Sequence, residues 1–459
     1  AKMSRAAADF SILTGQLCFS SIYFPRVCRR SGTRNSFKTA LHALLALSFC
    51  AGSVSAFDFS GDPLAGLKTA LAAAPAAVTP PAPAGKAALP EWTVMIFVNG
   101  KNDLADFGLL DLNEMEAVGS TAKMNVVVEM GLLNKGVKRY FVKKDKDASY
   151  VTSPVVQDLG SPDMGDWKHL AEFANWAKTA YPAKRYMLVI WNHGSGWVSN
   201  KGISYDDETR NHISTPELGL AMKAIGKVDI LAMDACLMQM AEVGYEIKDF
   251  AELIVASEET APGYGFPYDL VLKGVNTLAD KPVEEVAAKI VENYGSFYVQ
   301  KKMKATLSSV RTAALPQLAA LLDDWAGAAL AYPDKDNLRA AANDAACYYV
   351  DEYKDLADLL AKVSAKTADP ALTEKGAAVI NYIRTALVLA NTATPAMGSG
   401  SNGVSIYVSR DGASERYKAL AFSGATRWDE FLAALPRYFP PPPPPHDDPF
   451  NPDNWLNRP

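Results

Sequence analysis

Five short apolar runs lie in the first half of the chain, and few polar residues interrupt them. They occupy residues 93–98, 125–130, 186–191, 228–233 and 253–256. Runs of this length without polar alternation are typical of strands that are buried on both faces of a sheet. Helical periodicity separates the runs, so the pattern predicts an α/β fold in which a mainly parallel sheet lies between layers of helices.

Two of the predicted helices have clear sequence signals. In residues 167–177 the apolar side chains recur at steps of three and four, as on one face of a helix. Ser214 and Glu217 have the spacing of a capping box, with Pro216 near the first helical position and Gly226 as a stop signal. These signals predict helices that connect consecutive parallel strands.

The second half of the folded region has a different pattern. Residues 282–390 are rich in alanine and leucine at helical spacing, and a later apolar run at 403–408 predicts a strand that would return to the main sheet. The pattern therefore divides the chain into an α/β domain over 91–280 and a helical region with a late strand over 281–439.

The two ends of the chain predict no folded domain. Basic residues precede an apolar run at 40–50 and the small residues Val54-Ser55-Ala56, which predicts a signal peptide over 1–56 with an upstream extension. This apolar run is too short to span a bilayer. Residues 57–90 form an Ala/Pro-rich linker or pro-segment, and 440–459 form a proline-rich tail. The expected location is periplasmic, cell-surface or secreted.

Charge and composition exclude some classes of function. The 459 residues are 49% hydrophobic and carry 46 basic and 51 acidic side chains, which is typical of a soluble globular protein. Removal of residues 1–56 would leave 39 basic and 50 acidic residues. Such an acidic chain offers no positive field for nucleic acid, so we expect no nucleic-acid partner.

Only two of the five cysteines remain after residue 56, namely Cys236 and Cys347. A disulfide framework is therefore not expected, although the two could form one pair, or one of them could be a reactive thiol. Cys347 lies in an alanine-rich helical pattern with no histidine nearby in the sequence. We predict that it is a packing residue.

A histidine and the other cysteine follow two neighbouring strands. His193 comes after the run that ends at residue 191, and Cys236 after the run that ends at residue 233. The carboxyl ends of parallel strands meet at one edge, so these side chains could form a reactive pair. A helix predicted to start at Cys236 would lower the thiol pKa, and the N–H groups of Gly194 and Cys236 could form an oxyanion hole. Taken singly, a core cysteine and a structural histidine are the simpler interpretations.

An ordered set of motifs makes a family resemblance specific. The chain contains Asn102-Asp103-Leu104, Asp111-Leu112-Asn113-Glu114-Met115, His193-Gly194, Asp234-Ala235-Cys236 and residues 256–265 in that order. Over about 92–275 it resembles the clostripain-like cysteine peptidases of the caspase and gingipain clan. The resemblance implies a caspase-like fold, a His193/Cys236 dyad and hydrolysis through a thioester.

The resemblance also implies that Asp234 selects substrates with Arg or Lys at P1, the residue before the cleaved bond. On an extended segment Asp234 and Cys236 project to the same side, which supports this role. The alternative for Asp234 is a cap on the helix predicted to start at Cys236. Glu258 and Glu259 are secondary candidates for the same pocket.

The polar segment 198–213 lies between the two motifs. The resemblance implies self-cleavage there, and we expect it at Arg210 before Lys201. No cofactor is expected to be required. Calcium is implied for some relatives, and the candidate ligands are Asp206, Asp207 and Glu208, although an acidic surface turn is the simpler interpretation because the spacing is not that of an EF-hand.

The predicted function is an exported cysteine endopeptidase acting on protein or peptide substrates. The alternative is a non-catalytic exported protein that binds peptides on the same fold. A serine hydrolase is excluded because no Gly-x-Ser-x-Gly motif follows a strand.

Overall fold

The computed structural model describes residues 88–197, 202–398 and 400–438. The predicted signal peptide, the linker up to residue 87 and the proline-rich tail lie outside the described residues. Within the described part of the chain, no helix is long and apolar enough to cross a bilayer.

One nine-stranded sheet organises the molecule. Its order is β12 (Val388–Ala393), β10 (Thr306–Arg311), β9 (Ala251–Ala256), β8 (Val228–Asp234), β5 (Arg185–Trp191), β1 (Trp92–Gly100), β2 (Met124–Leu132), β3 (Gly136–Phe141) and β4 (Val155–Asp158). The five central strands, from β9 to β2, are parallel to one another, and the strands at both edges are antiparallel. The predicted mainly parallel centre is confirmed, and each predicted apolar run lies in one of the five parallel strands.

Thirteen α-helices and two small sheets complete the part that the structure describes. The helices are α1 (Ala105–Glu116), α2 (Trp167–Ala180), α3 (Thr215–Ile225), α4 (Ala241–Ile247), α5 (Tyr268–Thr277), α6 (Val283–Gln300), α7 (Leu315–Ala331), α8 (Lys335–Asp344), α9 (Leu356–Thr367), α10 (Pro370–Tyr382), α11 (Glu415–Lys418), α12 (Ala421–Ala425) and α13 (Trp428–Ala434). The small sheets pair β6 (Ile203–Asp206) with β7 (Asn211–Ile213), and β11 (Tyr353–Asp355) with β13 (Ser405–Tyr407). The capping box predicted at Ser214 is present at the start of α3.

The sheet separates two apolar cores. In β1 the side chains alternate, so that Met95 and Phe97 pack with α2, α3, α4 and α7, whereas Val94, Ile96 and Val98 pack with α1, α5 and α6. Both faces of the central strands are therefore covered. This explains why their sequences are continuous apolar runs.

The C-terminal region differs from the sequence prediction in two ways. Strands β10 and β12 extend the main sheet, so residues 281–439 are not only helical. The predicted late strand, β13, pairs with β11 and not with the main sheet. Strand β10 lacked an apolar signature because its buried centre is Ser308-Ser309; the Ser308 hydroxyl accepts a hydrogen bond from Gln239 at 2.8 Å.

A buried carboxyl group connects the C-terminal region to helix α4. Glu242, in α4, is fully buried, and its Oε1 accepts hydrogen bonds from the Tyr407 N–H at 2.9 Å and the Tyr417 hydroxyl at 3.1 Å. Burial raises the pKa of Glu242 to about 7, since two hydrogen bonds offset only part of the lost hydration. The folded protein therefore binds this proton more tightly than the unfolded chain does.

This shift predicts that alkaline pH destabilises the fold. The stabilising contribution of Glu242 is fully present below its unfolded pKa of about 4.5 and is lost as the pH rises through 7. We expect the midpoint of thermal unfolding to fall by roughly 5 °C between pH 5.5 and pH 8. Glu242→Gln, which mimics the protonated side chain, should show a smaller fall.

The control is Glu374→Gln in α10, where the side chain is exposed. Differential scanning fluorimetry at several pH values measures all three midpoints. Identical pH dependence in the Glu242 variant and the wild type would contradict this assignment.

Candidate active site

A cleft opens at the edge of the sheet where the parallel strands end. Its walls come from the loops after β1, β5, β8 and β9. The lining residues are Leu104, Trp191, Asn192, His193, Asp234, Ala235, Cys236, Ala261, Pro262, Gly263 and Gly265. The sheet thus brings His193, Cys236 and Asp234 to one cleft, as the sequence predicted.

Strand register and one glycine bring the histidine and cysteine loops together. Trp191 of β5 and Asp234 of β8 are paired residues, so the two loops leave the sheet side by side. A Cβ atom at Gly194 would lie 2.4 Å from the backbone oxygen of Cys236 and 2.9 Å from the Cβ of Ala235. Only glycine permits this approach without a backbone shift.

Cys236 lies in a strained turn and not in a helix. The helix predicted to start there is wrong, since α4 begins at Ala241. Leu237 has a φ of +63°, which is rare for a side chain of this kind, and its N–H donates to the Glu259 oxygen at 3.1 Å. The helix dipole therefore does not act on Cys236, whose sulfur is a thiol and not part of a disulfide. Its Sγ accepts a hydrogen bond from the Ala261 N–H at 3.3 Å.

His193 has a carboxylate partner that sequence reasoning did not identify. Asp103 Oδ1 lies 2.7 Å from His193 Nε2. Asp103 belongs to a motif that supported the family resemblance. Its position just after β1 was the only feature of the sequence that could have indicated a contact with His193. A carboxylate on one ring nitrogen orients the imidazole and stabilises its protonated form.

Asp234 is a buried carboxyl group at the wall of the cleft. Its Oδ2 accepts hydrogen bonds from the Phe266 N–H at 2.9 Å and the Tyr268 hydroxyl at 3.1 Å. Burial raises the pKa of Asp234 to about 7. The alternative role as a helix cap is wrong because α4 begins seven residues later. A Cβ at Gly265 would lie 2.7 Å from this carboxylate, so glycine keeps the space beside it open.

One buried acid, Asp111, and one partly buried acid, Glu114, lie near Asp234. Asp111 Oδ2 accepts a hydrogen bond from the Trp191 indole at 2.6 Å, and Glu114 Oε2 accepts one from the Tyr268 N–H at 3.1 Å. Burial is the main cause that raises the pKa of Glu114 to about 8 and the pKa of Asp111 well above its usual range. Their spacing in α1 was visible in the sequence, but their position behind the cleft was not.

Glu258 and Glu259 do not line the cleft. Glu258 is buried, and it accepts hydrogen bonds from the Tyr348 hydroxyl at 2.7 Å and the Gly403 N–H at 3.1 Å. Glu259 accepts one from the Tyr349 N–H at 2.9 Å. Both acids attach the loop after β9 to the C-terminal region. Their role in the structure is to hold the loop that carries Ala261.

Residues 203–213, which lie between the His193 and Cys236 motifs, form a hairpin of β6 and β7. Arg210 lies exposed at its tip with a φ of +59°, and Lys201 lies outside the described residues. Asp206 is buried, so the segment is not simply an acidic surface turn. Asp207 is exposed, and its N–H donates to the Lys101 oxygen at 2.9 Å.

The predicted calcium ligands already have a cation among them. The Lys101 ammonium lies 2.9 Å from Glu208 Oε2 and 3.5 Å from Asp206 Oδ2. A calcium ion and this ammonium group could not occupy the same space. Asp206, Asp207 and Glu208 therefore do not fit a calcium ion while Lys101 is in place.

One other group of described side chains has ligand-like spacing, formed by Glu129, His169 and Glu172. Arg139 lies among them, 2.7 Å from Glu129 and 2.6 Å from Glu172. The group is therefore an ion-pair network. Cys347 is buried, forms a backbone bridge with Lys354 and is not among the residues that line the cleft.

Comparison with known proteins identifies the family of the chain. The model of the clostripain family, peptidase family C11, matches residues 96–434. Clostripain of Hathewaya histolytica is 30% identical over 178 residues, which are 32% of this chain and 34% of that protein, so the alignment spans about a third of that relative.

Two solved structures have the same fold. A secreted C11 cysteine protease of Bacteroides thetaiotaomicron, in complex with an irreversible peptide inhibitor, is 24% identical with a TM-score of 0.60, covering 74% of this chain and all of that one. An inactive zymogen C11 protease of Parabacteroides distasonis is 21% identical with a TM-score of 0.59, covering 74% of this chain and 99% of that one.

The fold and the thiol at the sheet edge define the class of cysteine peptidases with a caspase-like sheet. Within that class, the match over residues 96–434 shows that the chain belongs to the clostripain family.

The contact at Gly194 predicts that a side chain at this position lowers the activity. In Gly194→Ala the new methyl group would collide with the Cys236 backbone, which cannot move as a side chain can. We expect kcat/KM for a peptide substrate to fall about 100-fold, since small misplacements of reacting groups have effects of this size.

Gly424→Ala is the matched control, because a Cβ there meets no atom within 4 Å. It should retain activity within about twofold of the wild type. Full activity of the Gly194 variant would show that the close approach is not needed.

Proposed function

We propose that the protein is an exported endopeptidase that hydrolyses peptide bonds after Arg or Lys, with Cys236 as nucleophile and His193 as acid and base. The observation that carries the proposal is the contact between Gly194 and the Cys236 backbone, beside a buried carboxyl group in the same cleft. A peptide-binding protein without catalysis would not need a thiol and a carboxylate-oriented histidine at the same strand ends.

The proposed reaction begins when the Cys236 proton passes to His193. The thiolate attacks the carbonyl carbon of the scissile bond, and the oxyanion that forms is stabilised by the N–H groups of Gly194 and Cys236. His193 then returns the proton to the leaving amine as the C–N bond breaks. Water attacks the thioester with His193 as base, which releases the acid and restores the thiol. Asp103 Oδ1 orients the imidazole through its contact with Nε2, and the proposed proton transfer uses Nδ1.

Asp234 is the proposed partner of the basic P1 side chain. Its pKa of about 7 means that the empty pocket holds a mixture of charged and neutral carboxyl groups near neutral pH. A guanidinium or ammonium group favours the ionised form, because opposite charges attract strongly where water is excluded. Asp111 and Glu114 add negative potential behind the same wall when they are ionised.

A panel of fluorogenic peptides ending in Arg, Lys, Asp or Leu tests the proposal. The wild type should cleave only the Arg and Lys peptides, and Cys236→Ala should cleave none. Asp234→Asn should raise KM for the Arg peptide roughly 10- to 100-fold, because a charged hydrogen bond is lost. Asp103→Asn should lower kcat with little change in KM.

Calcium chloride and EGTA are included in parallel assays. Cleavage of no peptide by the wild type, even after limited proteolysis between residues 198 and 213, would favour the peptide-binding alternative. Cleavage of Asp or Leu peptides in preference to Arg would contradict the role of Asp234.

We also propose self-processing in the segment 198–213. A peptidase binds its substrate as an extended segment. Arg210 is held in a tight hairpin, in which Asp206 Oδ1 accepts the Glu208 N–H at 2.9 Å. We therefore propose Lys201 as the first cleavage site, in place of Arg210, which the sequence favoured.

Gel electrophoresis of freshly purified protein tests this proposal. The wild type and Arg210→Ala should separate into two fragments at residue 201, whereas Lys201→Ala and Cys236→Ala should remain as one band. N-terminal sequencing of the second fragment identifies the bond. One band for the wild type and for Cys236→Ala alike would contradict self-processing.

A further inference from the structure

A lysine side chain lies inside a cage of oxygen atoms next to the active site. Lys101 is fully buried, and its ammonium group donates hydrogen bonds to Ser161 Oγ at 2.8 Å and to the Pro162 oxygen at 2.8 Å. The two carboxylates of Asp206 and Glu208 lie at 3.5 and 2.9 Å. Two carboxylates, a carbonyl and a hydroxyl are the donor types that bind a calcium ion in proteins.

We propose that the Lys101 ammonium is a built-in substitute for a divalent cation in this cage, and that it positions His193 independently of calcium. The proposal rests in part on the proposed function, because catalysis is one of its readouts. It assigns Lys101 as a positioning residue, since the side chain does not line the cleft.

A short chain of contacts connects Lys101 to the histidine. The cage fixes the β6–β7 hairpin to the loop after β1. From the hairpin, the Tyr205 oxygen accepts hydrogen bonds from Asn102 Nδ2 at 2.8 Å and Asn192 Nδ2 at 3.3 Å. The Tyr205 N–H also donates to Asn192 Oδ1 at 2.9 Å. The residues that follow these two asparagines are Asp103 and His193.

The same hairpin strand thus sets the position of both members of the Asp103–His193 pair. Loss of the cation in the cage would leave the buried carboxylate of Asp206 facing that of Glu208. Repulsion between them would push the hairpin outwards and move Tyr205 with it.

The charge state of the cage agrees with a permanent internal cation. The hydrogen bond from Lys101 and the one from the Asn134 N–H, at 2.7 Å, lower the pKa of Glu208 to about 2. Asp206 Oδ1 accepts the N–H groups of Glu208 and Thr209, and its Oδ2 accepts that of Met164 at 3.0 Å. Both carboxylates are therefore arranged to face a positive charge.

The experiment compares Lys101→Ala with Lys101→Met in the full chain. Alanine leaves space for an ion and its waters, whereas methionine fills the space without charge. Thermal unfolding and peptide hydrolysis are measured in EGTA and in millimolar calcium chloride. The wild type should show the same unfolding midpoint and the same kcat in both.

In EGTA both variants should lose kcat about 10- to 100-fold with KM within about threefold, because a positioning defect acts on the reacting groups. Calcium should raise the midpoint of Lys101→Ala by several degrees and restore most of its kcat. It should do neither for Lys101→Met. A salt bridge with a purely structural role would not produce this selective rescue.

The double variant Lys101→Ala/Glu208→Gln covers the case in which the single variant does not fold. Removing one charge of each sign should permit folding, and calcium should raise the midpoint of the double variant through the remaining carboxylate, the Pro162 oxygen and the Ser161 hydroxyl. No calcium response of the midpoint in either alanine variant would overturn the proposal. Loss of wild-type activity in EGTA would also overturn it.

The unfolding midpoint requires no catalysis. If the wild type cleaves no peptide, the proposed function fails, while the calcium response of Lys101→Ala still decides the role of the cage.

Discussion

The active site depends on a backbone contact between two loops that leave adjacent parallel strands. The register of β5 with β8 pairs Trp191 with Asp234, so the loops that follow start at the same level of the sheet. Gly194 then lies against the Cys236 carbonyl at a distance that no side chain would permit. This contact sets how closely the histidine and cysteine loops approach each other, whereas Asp234 is positioned as the last residue of β8.

The rest of the fold supplies the rigidity that such a contact needs. The strained turn at Leu237 is attached by backbone hydrogen bonds to Glu259 and Ser257 in the loop after β9. That loop is held in turn by Glu258, which contacts Tyr348 and Gly403 of the C-terminal region. The C-terminal region is therefore part of the catalytic unit, although it supplies none of the residues that line the cleft.

Buried charge is used differently on the two sides of the site. On the Asp234 side, burial raises the pKa values of Asp234 and Glu114 to about 7 and about 8. On the hairpin side, the carboxylates of Asp206 and Glu208 enclose Lys101, and the site is closed to a further cation. Burial thus raises the pKa of Asp234, whereas the hydrogen bond from Lys101 lowers the pKa of Glu208.

The sequence alone determined the parallel sheet and the position of His193, Gly194, Asp234 and Cys236 at the ends of its strands. The physical reason is that strands buried on both faces require continuous apolar runs, and the ends of parallel strands lie at one edge of the sheet. It did not reveal strand β10, because the buried centre of this strand is polar. It also did not reveal the turn at Cys236, because tertiary hydrogen bonds stabilise a turn where the local pattern predicted a helix. Asp103, Asp111 and Lys101 acquire their roles only through contacts with residues far along the chain. Such contacts depend on how the loops pack in three dimensions, and no periodicity in the sequence encodes them.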